Sequence, residues 1–430
     1  MKIRRFLAGI FALAAVSTSV SLQAQSNRVQ TKPLPWSQRM ANSAIERWPD
    51  GRFVPASAKW QWNYELGTLL EGMDAVWTQT RNPRYLNYIR SSVDQFVNAD
   101  GTISTYVPAE HQLDNILLGR QLLLLYRITR DPRYAKAATF LFNQLQQQPR
   151  TPGGGFWHKQ RYPNQMWLDG IYMAEPFYAG YASAFHRPAA FKDIALQFDL
   201  IYKHVRDPRT GLLYHGWDES KKERWANPKT GDSSQFWARG VGWYMMALVD
   251  TLPEFPAEDP ARESLKAQLV KLAAAVARYQ DPKTGLWYEV LDKPGDKGNY
   301  LEASASCMFV YSFVRAVRLG YLPQSYLGNA RRGYAGILRH FVTVSAEGEV
   351  SLTGTVKSAG LGGKPYRDGS YAYYIGEKTV TNDPKGIGAF LLASTEIESS
   401  AKPLPKNNGR NNGLNGTLVK RQKPADPAGR

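Results

Sequence analysis

Apolar residues recur along most of the chain at the spacing of an α-helix. Start and stop signals divide this pattern into twelve predicted helices. They lie near residues 36–48, 63–80, 83–97, 111–129, 132–148, 164–185, 188–205, 235–253, 260–280, 302–319, 324–342 and 385–398. The odd-numbered helices are amphipathic, whereas the even-numbered ones are apolar on nearly all sides. The even-numbered helices are therefore predicted to be buried.

Short aromatic segments repeat along the chain. The segments GGGFWHKQ, TGLLYHGWD and TGLWYEVLD each precede a loop and then an even-numbered helix, and GEVSLTGTV opens a fourth such unit. Six helical hairpins closed into a ring would bury every even-numbered helix, which predicts an all-α fold, the (α/α)6 toroid. An open α-solenoid is the alternative, and it is disfavoured because the long loops all fall on one side. In the ring, the first turns of the inner helices meet at one mouth.

The two ends of the sequence differ from the part between them. Lys2, Arg4 and Arg5 precede an apolar stretch, and Ala24 is a plausible cleavage point. Residues 1–24 are therefore predicted to be a signal peptide, and the protein is expected to be exported, either periplasmic or secreted. Residues 25–400 are predicted to form a single catalytic domain, and 401–430 a disordered basic tail. No later segment has about 18 consecutive apolar residues, so no stable membrane insertion is expected.

The formal net charge is +17, and it is unevenly distributed. The signal carries three basic residues and the tail seven against Asp426, so that about +8 is left on residues 25–400. This charge favours an acidic partner. Export and the lack of a clustered basic helix argue against nucleic acid. The single cysteine, Cys307, excludes an internal disulfide, and its apolar neighbours favour a core position over a nucleophile.

Two aspartates are candidates for chemistry at the mouth. Asp169 lies in PNQMWLDGIYMAEPF, a run otherwise fit for burial, where an ionised carboxylate is costly unless it is paired. Asn164 is expected to cap that helix, so Asp169 is not needed as a cap. Asp114 lies in HQLDNILLG, in the first turn of the predicted helix 111–129. A satisfied structural carboxylate is the alternative for Asp169, and a favourable helix-dipole contact is the alternative for Asp114.

Two histidines occupy matching places in two repeats. His158 in GFWHKQ and His215 in LYHGWD are two of only six histidines in the chain. Equivalent loops at one mouth favour a shared role in binding or proton transfer, although a structural role for each stays open. No HExxH pattern or paired cysteine spacing is present, so the sequence predicts no metal site.

Aromatic residues and one arginine cluster at the start of another inner helix. Trp237, Arg239 and Trp243 lie in FWARGVGWYM, where a planar guanidinium suits a carboxylate and flat rings suit a sugar. Tyr64 and Met173 are expected to complete the wall. Core packing is the alternative for the aromatic residues and for Met173. Together with export and positive charge, the pattern indicates an acidic carbohydrate as the partner.

At these residues the chain resembles a known group of enzymes. The segments HQLDN, QMWLDGIYMAEPF, FWARGVGWYM, EASASCMF and NDPKGIGAFLLA are similar to those of the unsaturated rhamnogalacturonyl hydrolases, glycoside hydrolase family 105. The unsaturated glucuronyl hydrolases of family 88 are close relatives. The resemblance runs from about Trp36 to Glu398.

The resemblance implies an unusual hydrolysis. Enzymes of this type remove a 4,5-unsaturated uronic acid from the non-reducing end of an oligosaccharide by hydrating its vinyl ether double bond. Asp169 would protonate the double bond and activate the water, and Asp114 would position the substrate and stabilise charge. The apolar neighbours Trp167, Leu168 and Met173 are expected to raise the pKa of Asp169. The residues implied to hold hydroxyls or the water, or to frame the sugar, are Tyr64, His158, Met173, His215, Trp237, Arg239 and Trp243. No metal or organic cofactor is implied.

Several alternatives stay open. The loop 355–374, with Lys357, Lys364 and Arg367, is either a lid over the substrate or a mobile surface loop. The substrate implied by the resemblance is an unsaturated galacturonyl oligosaccharide from rhamnogalacturonan, the pectin polymer. The alternatives are an unsaturated glucuronyl substrate, a saturated sugar, or a non-catalytic protein that binds acidic polysaccharide. The sequence does not predict the oligomeric state.

Overall fold

The structure, a computed structural model, describes residues 33–54 and 58–400. The predicted signal peptide 1–24 and the predicted tail 401–430 lie outside these residues. Every helix and strand below lies between residues 35 and 400. Within the described ranges, no helix combines the length and the apolar character that a bilayer span requires.

Six helices with largely buried side chains form a closed inner ring. They are α2 (Tyr64–Thr80), α4 (Gly119–Thr129), α6 (Leu168–Ala184), α8 (Ala238–Thr251), α10 (Ala303–Arg318) and α13 (Pro384–Ser400). Each packs against the next in this order, and α13 packs back against α2. The ring is closed, which confirms the predicted (α/α)6 toroid and excludes the open solenoid.

Six amphipathic helices surround the inner ring. They are α1 (Trp36–Arg47), α3 (Pro83–Asp94), α5 (Pro132–Gln147), α7 (Ala190–Val205), α9 (Pro260–Arg278) and α11 (Tyr326–His340). Three of these helices begin in the same way. Asn82, Asp131 and Asp259 each accept a hydrogen bond from a backbone N–H of the first turn, and a proline follows each of them. Such caps satisfy a free amide, and proline at the first position removes another.

Each of the twelve predicted helices is present, but two of them begin four or more residues later than predicted. Helix α4 begins at Gly119, after a separate 3₁₀ turn at Leu113–Ile116. Asp114 therefore lies in that turn, not in the first turn of an α-helix. Helix α6 begins at Leu168, and Asn164 has a left-handed backbone with φ 60°. The prediction that Asn164 caps α6 is therefore wrong. The short helix α12 (Tyr371–Gly376) was not predicted, because six residues are too few to show a helical period.

Three two-stranded antiparallel sheets join the loops of the mouth and the segment before α13. Strand β1 (Gln165–Trp167) pairs with β2 (Gly216–Asp218), β3 (Val342–Val344) with β4 (Val350–Leu352), and β5 (Thr355–Val356) with β6 (Thr379–Val380). In the first sheet Trp167 lies opposite Gly216. This pairing brings the loop before α6 against the loop before α8.

A chain of buried ion pairs crosses the inside of the ring. Arg120 on α4 contacts Glu71 on α2 at 2.6 Å and Asp250 on α8 at 3.1 Å. Arg315 on α10 contacts Asp250 at 3.0 Å and Glu396 on α13 at 3.5 Å. The remaining inner helix, α6, joins through a tyrosine hydroxyl that accepts a hydrogen bond from Arg120. All six inner helices are therefore connected, and loss of Arg120 would leave the buried Glu71 without its ion-pair partner among the described residues.

Candidate active site

Backbone hydrogen bonds bring three loops of the mouth together. The Leu113 amide donates to the His158 carbonyl at 3.2 Å, and the His158 amide donates to the Gln165 carbonyl at 2.8 Å. The Leu168 amide donates to the His215 carbonyl at 3.0 Å. The segments that carry Asp114, His158, Asp169 and His215 are thus fixed next to one another. The loops of two matching repeats meet, as the ring predicted.

A cavity of about 450 Å³ opens at this place. Its size is typical of small-molecule sites in proteins. Five predicted site residues line it, namely Tyr64, Asp114, His158, Asp169 and Met173. The cations that line it are Lys59, Lys159, Arg161 and Arg367. The structure therefore places both candidate carboxylates and several positive charges around one space.

Asp169 is held by a chain of two hydrogen bonds. The side chain of Asp169 is 14% exposed, and its Oδ2 lies 3.0 Å from Nε2 of the fully buried His215. On the other side of the imidazole, Nδ1 lies 2.7 Å from the hydroxyl of Tyr374 on α12. His215 is thus engaged behind Asp169 and does not line the cavity. Asp169 lines the cavity, and among residues 33–54 and 58–400 no side chain forms a hydrogen bond with its other oxygen.

The pKa of Asp169 differs from the prediction made from its apolar neighbours. Burial raises this pKa, whereas the positive charge of His215 in its protonated form, the hydrogen bond from His215 and, to a smaller extent, His158 lower it, and together they outweigh burial. The pKa of Asp169 therefore lies below its ordinary value, and the expected rise is wrong for the protein without substrate. The sequence did not show that the imidazole of His215 contacts this carboxylate.

Asp114 has a different set of partners. The ammonium group of Lys159 forms a close ion pair with its Oδ2, and His158 Nε2 lies 3.4 Å from its Oδ1. Both cation and carboxylate are mostly buried, at 12% and 13% side-chain exposure. Lys159 was not predicted as a site residue, although it follows His158 directly in the sequence. The two aspartates of the cavity are thus distinguished by their partners, one bound to an ammonium and the other to an imidazole.

His158 is held as a neutral side chain. Burial lowers its pKa to about 4. Its ring stacks on Trp167 with centroids 4.4 Å apart, and its Nδ1 is buried without a hydrogen-bond partner in the part of the chain that the structure describes. Gly170, in the first turn of α6, permits this approach, because an added Cβ would lie 3.1 Å from His158 Nδ1 and 3.0 Å from Leu113 Cδ1. This close approach accounts for a glycine directly after Asp169.

Three further predicted site residues lie behind the cavity rather than on its lining. The indole of Trp237 packs 4.5 Å from His215, and its Nε1 donates to Glu289 at 2.8 Å. Arg239 is 2% exposed and donates to the carbonyl of Val356. The planar fork predicted to bind a carboxylate is therefore engaged within the protein.

The third of these residues, Trp243, is 1% exposed and stacks on Tyr172, with centroids 4.8 Å apart. The substrate contacts predicted for Trp237, Arg239 and Trp243 stay predictions.

The loop 355–374 contributes to the cavity. Ser358, Ala359 and Arg367 line it, whereas Lys357 and Lys364 are exposed away from its lining. Arg367 donates to the Tyr162 hydroxyl at 2.7 Å and to the carbonyl of Leu361 at 3.0 Å. The loop thus forms one wall of the site through a fixed arginine. In residues 33–54 and 58–400, no three His, Cys, Asp or Glu side chains converge as metal ligands.

Comparisons with known proteins show the family to which the chain belongs. The pattern described as Glycosyl Hydrolase Family 88 matches residues 36–401. The chain belongs to this family. A solved glycoside hydrolase from family 105 of C. acetobutylicum ATCC 824 is 43% identical, with a TM-score of 0.82 over 85% of this chain and 100% of that chain. The predicted resemblance to families 105 and 88 is confirmed, and the chain is a glycoside hydrolase of the group that contains the unsaturated uronyl hydrolases.

More distant relatives extend the comparison. Protein Atu3128 of Agrobacterium fabrum is 41% identical over 230 residues, which are 52% of this chain and 97% of that protein. The unsaturated rhamnogalacturonyl hydrolase YesR of Bacillus subtilis is 28% identical over 251 residues, 57% of this chain and 68% of that protein. An unsaturated glucuronyl hydrolase from Bacillus sp. GL1, 13% identical with a TM-score of 0.61 over 85% of this chain and 95% of that chain, shares the fold.

Proposed function

We propose that this enzyme removes a 4,5-unsaturated galacturonyl residue from the non-reducing end of oligosaccharides derived from rhamnogalacturonan. The observation that carries the proposal is the cavity at the mouth of the ring, where Asp114 and Asp169 have different partners. The named activity of the relative YesR supports the choice of a galacturonyl substrate. The alternative is an unsaturated glucuronyl residue from another acidic polysaccharide.

The charges around the cavity suit an acidic sugar. Lys59 and Arg161 line it, and neither forms an ion pair with another of the residues that the structure describes. Unpaired cations attract a uronate carboxylate and raise its local concentration. Tyr64 lines the same space and offers flat apolar surface for a sugar ring. The lining thus combines charge and aromatic surface, as an acidic oligosaccharide requires.

In this proposal Asp169 carries both proton transfers. Protonation of C4 of the unsaturated sugar, followed by addition of water at C5, gives a hemiketal that opens and releases the remaining saccharide. The hydrogen bond from His215 occupies Oδ2 of Asp169, which leaves the other oxygen for the substrate. In the free protein the pKa of Asp169 is lowered. The substrate carboxylate, a like charge close by, raises that pKa and lets Asp169 hold the proton it must donate.

The test follows the ultraviolet absorbance of the conjugated uronate. The purified protein is mixed in turn with unsaturated disaccharides from rhamnogalacturonan and from glucuronate-containing polysaccharides, and with the matching saturated disaccharides. We expect decay with the galacturonyl substrate and about 10²–10⁴-fold slower decay for Asp169→Asn, because general acid–base catalysis contributes about that factor. Asp296→Asn, in an exposed loop, is the matched control and should retain full activity.

Each alternative gives a different result. Decay only with the glucuronyl substrate would change the sugar and keep the chemistry. Release of product from the saturated disaccharides, with no loss of absorbance from the unsaturated ones, would refute the hydration mechanism. Equal rates for the parent and Asp169→Asn would remove Asp169 from the reaction.

A further inference from the structure

Tyr374 is the last residue of the hydrogen-bond series Asp169–His215–Tyr374, and it comes from the segment between β5 and β6. It lies on the six-residue helix α12, is fully buried, and is 159 positions away from His215 in the sequence. Its hydroxyl lies 2.7 Å from His215 Nδ1. Within residues 33–54 and 58–400, the Tyr374 hydroxyl has one hydrogen-bond partner, His215 Nδ1. This contact therefore decides whether the Tyr374 O–H donates a hydrogen bond.

The two ring nitrogens of His215 have different neighbours. Nε2 lies 3.0 Å from the carboxylate of Asp169, which accepts hydrogen bonds when it is ionised. The phenol of Tyr374 stays protonated, because burial raises its pKa. If Nδ1 carried a proton, the hydroxyl would have to accept it, and its own O–H would be left unpaired in a buried place. The arrangement that satisfies every group has Tyr374 donating to Nδ1, and Nε2–H donating to Asp169.

We infer that Tyr374 is a positioning residue, which fixes His215 as the neutral Nε2–H tautomer and so keeps one oxygen of Asp169 occupied and the other directed to the substrate. For its kinetic consequence the inference rests on the proposed function. The tautomer itself does not depend on the substrate. Partners of this kind set the tautomer of a histidine and commonly affect activity about ten- to a hundredfold.

Trp237 packs against both His215 and Tyr374. Its indole packs against His215 at 4.5 Å and against Tyr374 at 6.2 Å, and its Nε1 is anchored on Glu289. The ring of Trp167 also contacts the imidazole, with centroids 5.6 Å apart. The fully buried His215 thus packs against two tryptophans.

Other titratable groups surround the hydrogen-bonded residues Asp169, His215 and Tyr374, and they remain when Tyr374 is changed. Those that act on Asp169 or on Tyr374 are His158, Tyr373, Glu289 and Arg367, and Asp114 with Lys159 lies across the cavity. They set a background that is common to the parent and to Tyr374→Phe. A difference between Tyr374→Phe and the parent therefore reports the lost hydroxyl.

The first arm of the test observes the imidazole directly. Protein labelled with ¹⁵N-histidine is studied by long-range ¹H–¹⁵N correlation, and the signal that is missing in His215→Gln assigns the residue. We expect the parent to show a protonated Nε2 and an unprotonated Nδ1, and Tyr374→Phe to gain a proton at Nδ1. Tyr373→Phe is the matched control. It removes a neighbouring hydroxyl, which accepts from the Gly360 amide at 3.0 Å, and should leave the spectrum unchanged.

The second arm measures kinetics against pH with the unsaturated disaccharide. Loss of the Tyr374 hydroxyl favours a cationic His215, which holds Asp169 as a carboxylate. We expect kcat to fall about ten- to a hundredfold in Tyr374→Phe with KM little changed, and the alkaline limb of kcat to move to lower pH. Tyr373→Phe should keep the limb of the parent. Lost packing alone would lower the amount of folded enzyme and leave that limb in place.

The outcomes separate this inference from the proposed function. A parent spectrum with a protonated Nδ1, or a Tyr374→Phe variant with the spectrum and pH limb of the parent, would overturn the inference. A parent that turns over no unsaturated substrate would overturn the proposed function. In that event, an Nε2–H signal in the parent that changes in Tyr374→Phe but not in Tyr373→Phe would still support the role of Tyr374.

Discussion

Replacing His158 by glutamine tests the energetic cost of burying a neutral imidazole beside Asp114. Burial lowers the pKa of His158 from 6.5 to about 4 in the folded protein. Between these two values the unfolded chain binds more protons than the folded one, so stability falls as the pH drops from about 6.5 to about 4. This pKa shift contributes about 3 kcal/mol to the free energy of unfolding at neutral pH, and about 2.5 kcal/mol of that contribution is lost by pH ~4.5. The side chain is 2% exposed, so solvent screening takes little from this value.

The assay is urea unfolding at about pH 7 and about pH 4.5 for both proteins. His158→Gln lacks the titrating group, so the free energy of unfolding of the parent relative to the variant should fall by about 2.5 kcal/mol between the two pH values. His340→Gln, which removes an exposed imidazole at the end of α11, controls for the loss of a histidine as such. A difference between parent and His158→Gln that is the same at both pH values would show that His158 is not buried as a neutral group.

Two further substitutions test the contacts around this residue. Lys159→Met removes the ammonium group paired with Asp114, and kcat/KM with the unsaturated disaccharide should fall about ten- to a hundredfold, with partial recovery in Lys159→Arg. Equal kcat/KM for the parent and Lys159→Met would contradict a role for this pair. Gly170→Ala places a Cβ about 3 Å from Leu113 and His158, so urea unfolding should show a loss of about 1–3 kcal/mol. An unchanged midpoint of unfolding would show that these neighbours can move aside.

The sequence predicted the ring because its signals are local. Helical spacing, caps such as Asp131 before Pro132, and the repeated aromatic segments each lie within a few residues of one another. The predicted helix boundaries were wrong where tertiary contacts compete with helix formation. Gln165–Trp167 forms a strand rather than the first turn of α6, because its backbone pairs with residues 216–218. That pairing partner lies about fifty positions away and leaves no trace in the local pattern.

The site was predicted in part for the same reason. Asp114, His158 and Asp169 stand out locally, as charged or titratable residues among apolar ones. Tyr374 does not, since its partner is 159 positions distant and its helix is only six residues long. The direction of the pKa shift of Asp169 was also wrong, because it depends on the distance from its carboxylate to His215. Residue type indicates which groups are candidates, whereas their partners decide their protonation.

The packing of α13 against α2 has a consequence for how the molecule forms. Helix α2 occupies residues 64–80, and one of its two inner-ring neighbours is supplied by residues 384–400. During synthesis the apolar surface of α2 that packs against α13 stays uncovered until more than three hundred further residues have been made. Contacts of such long sequence separation slow folding and leave apolar surface open to aggregation in the meantime. A nascent chain of this kind leaves part of its inner ring uncovered until its last helix has emerged.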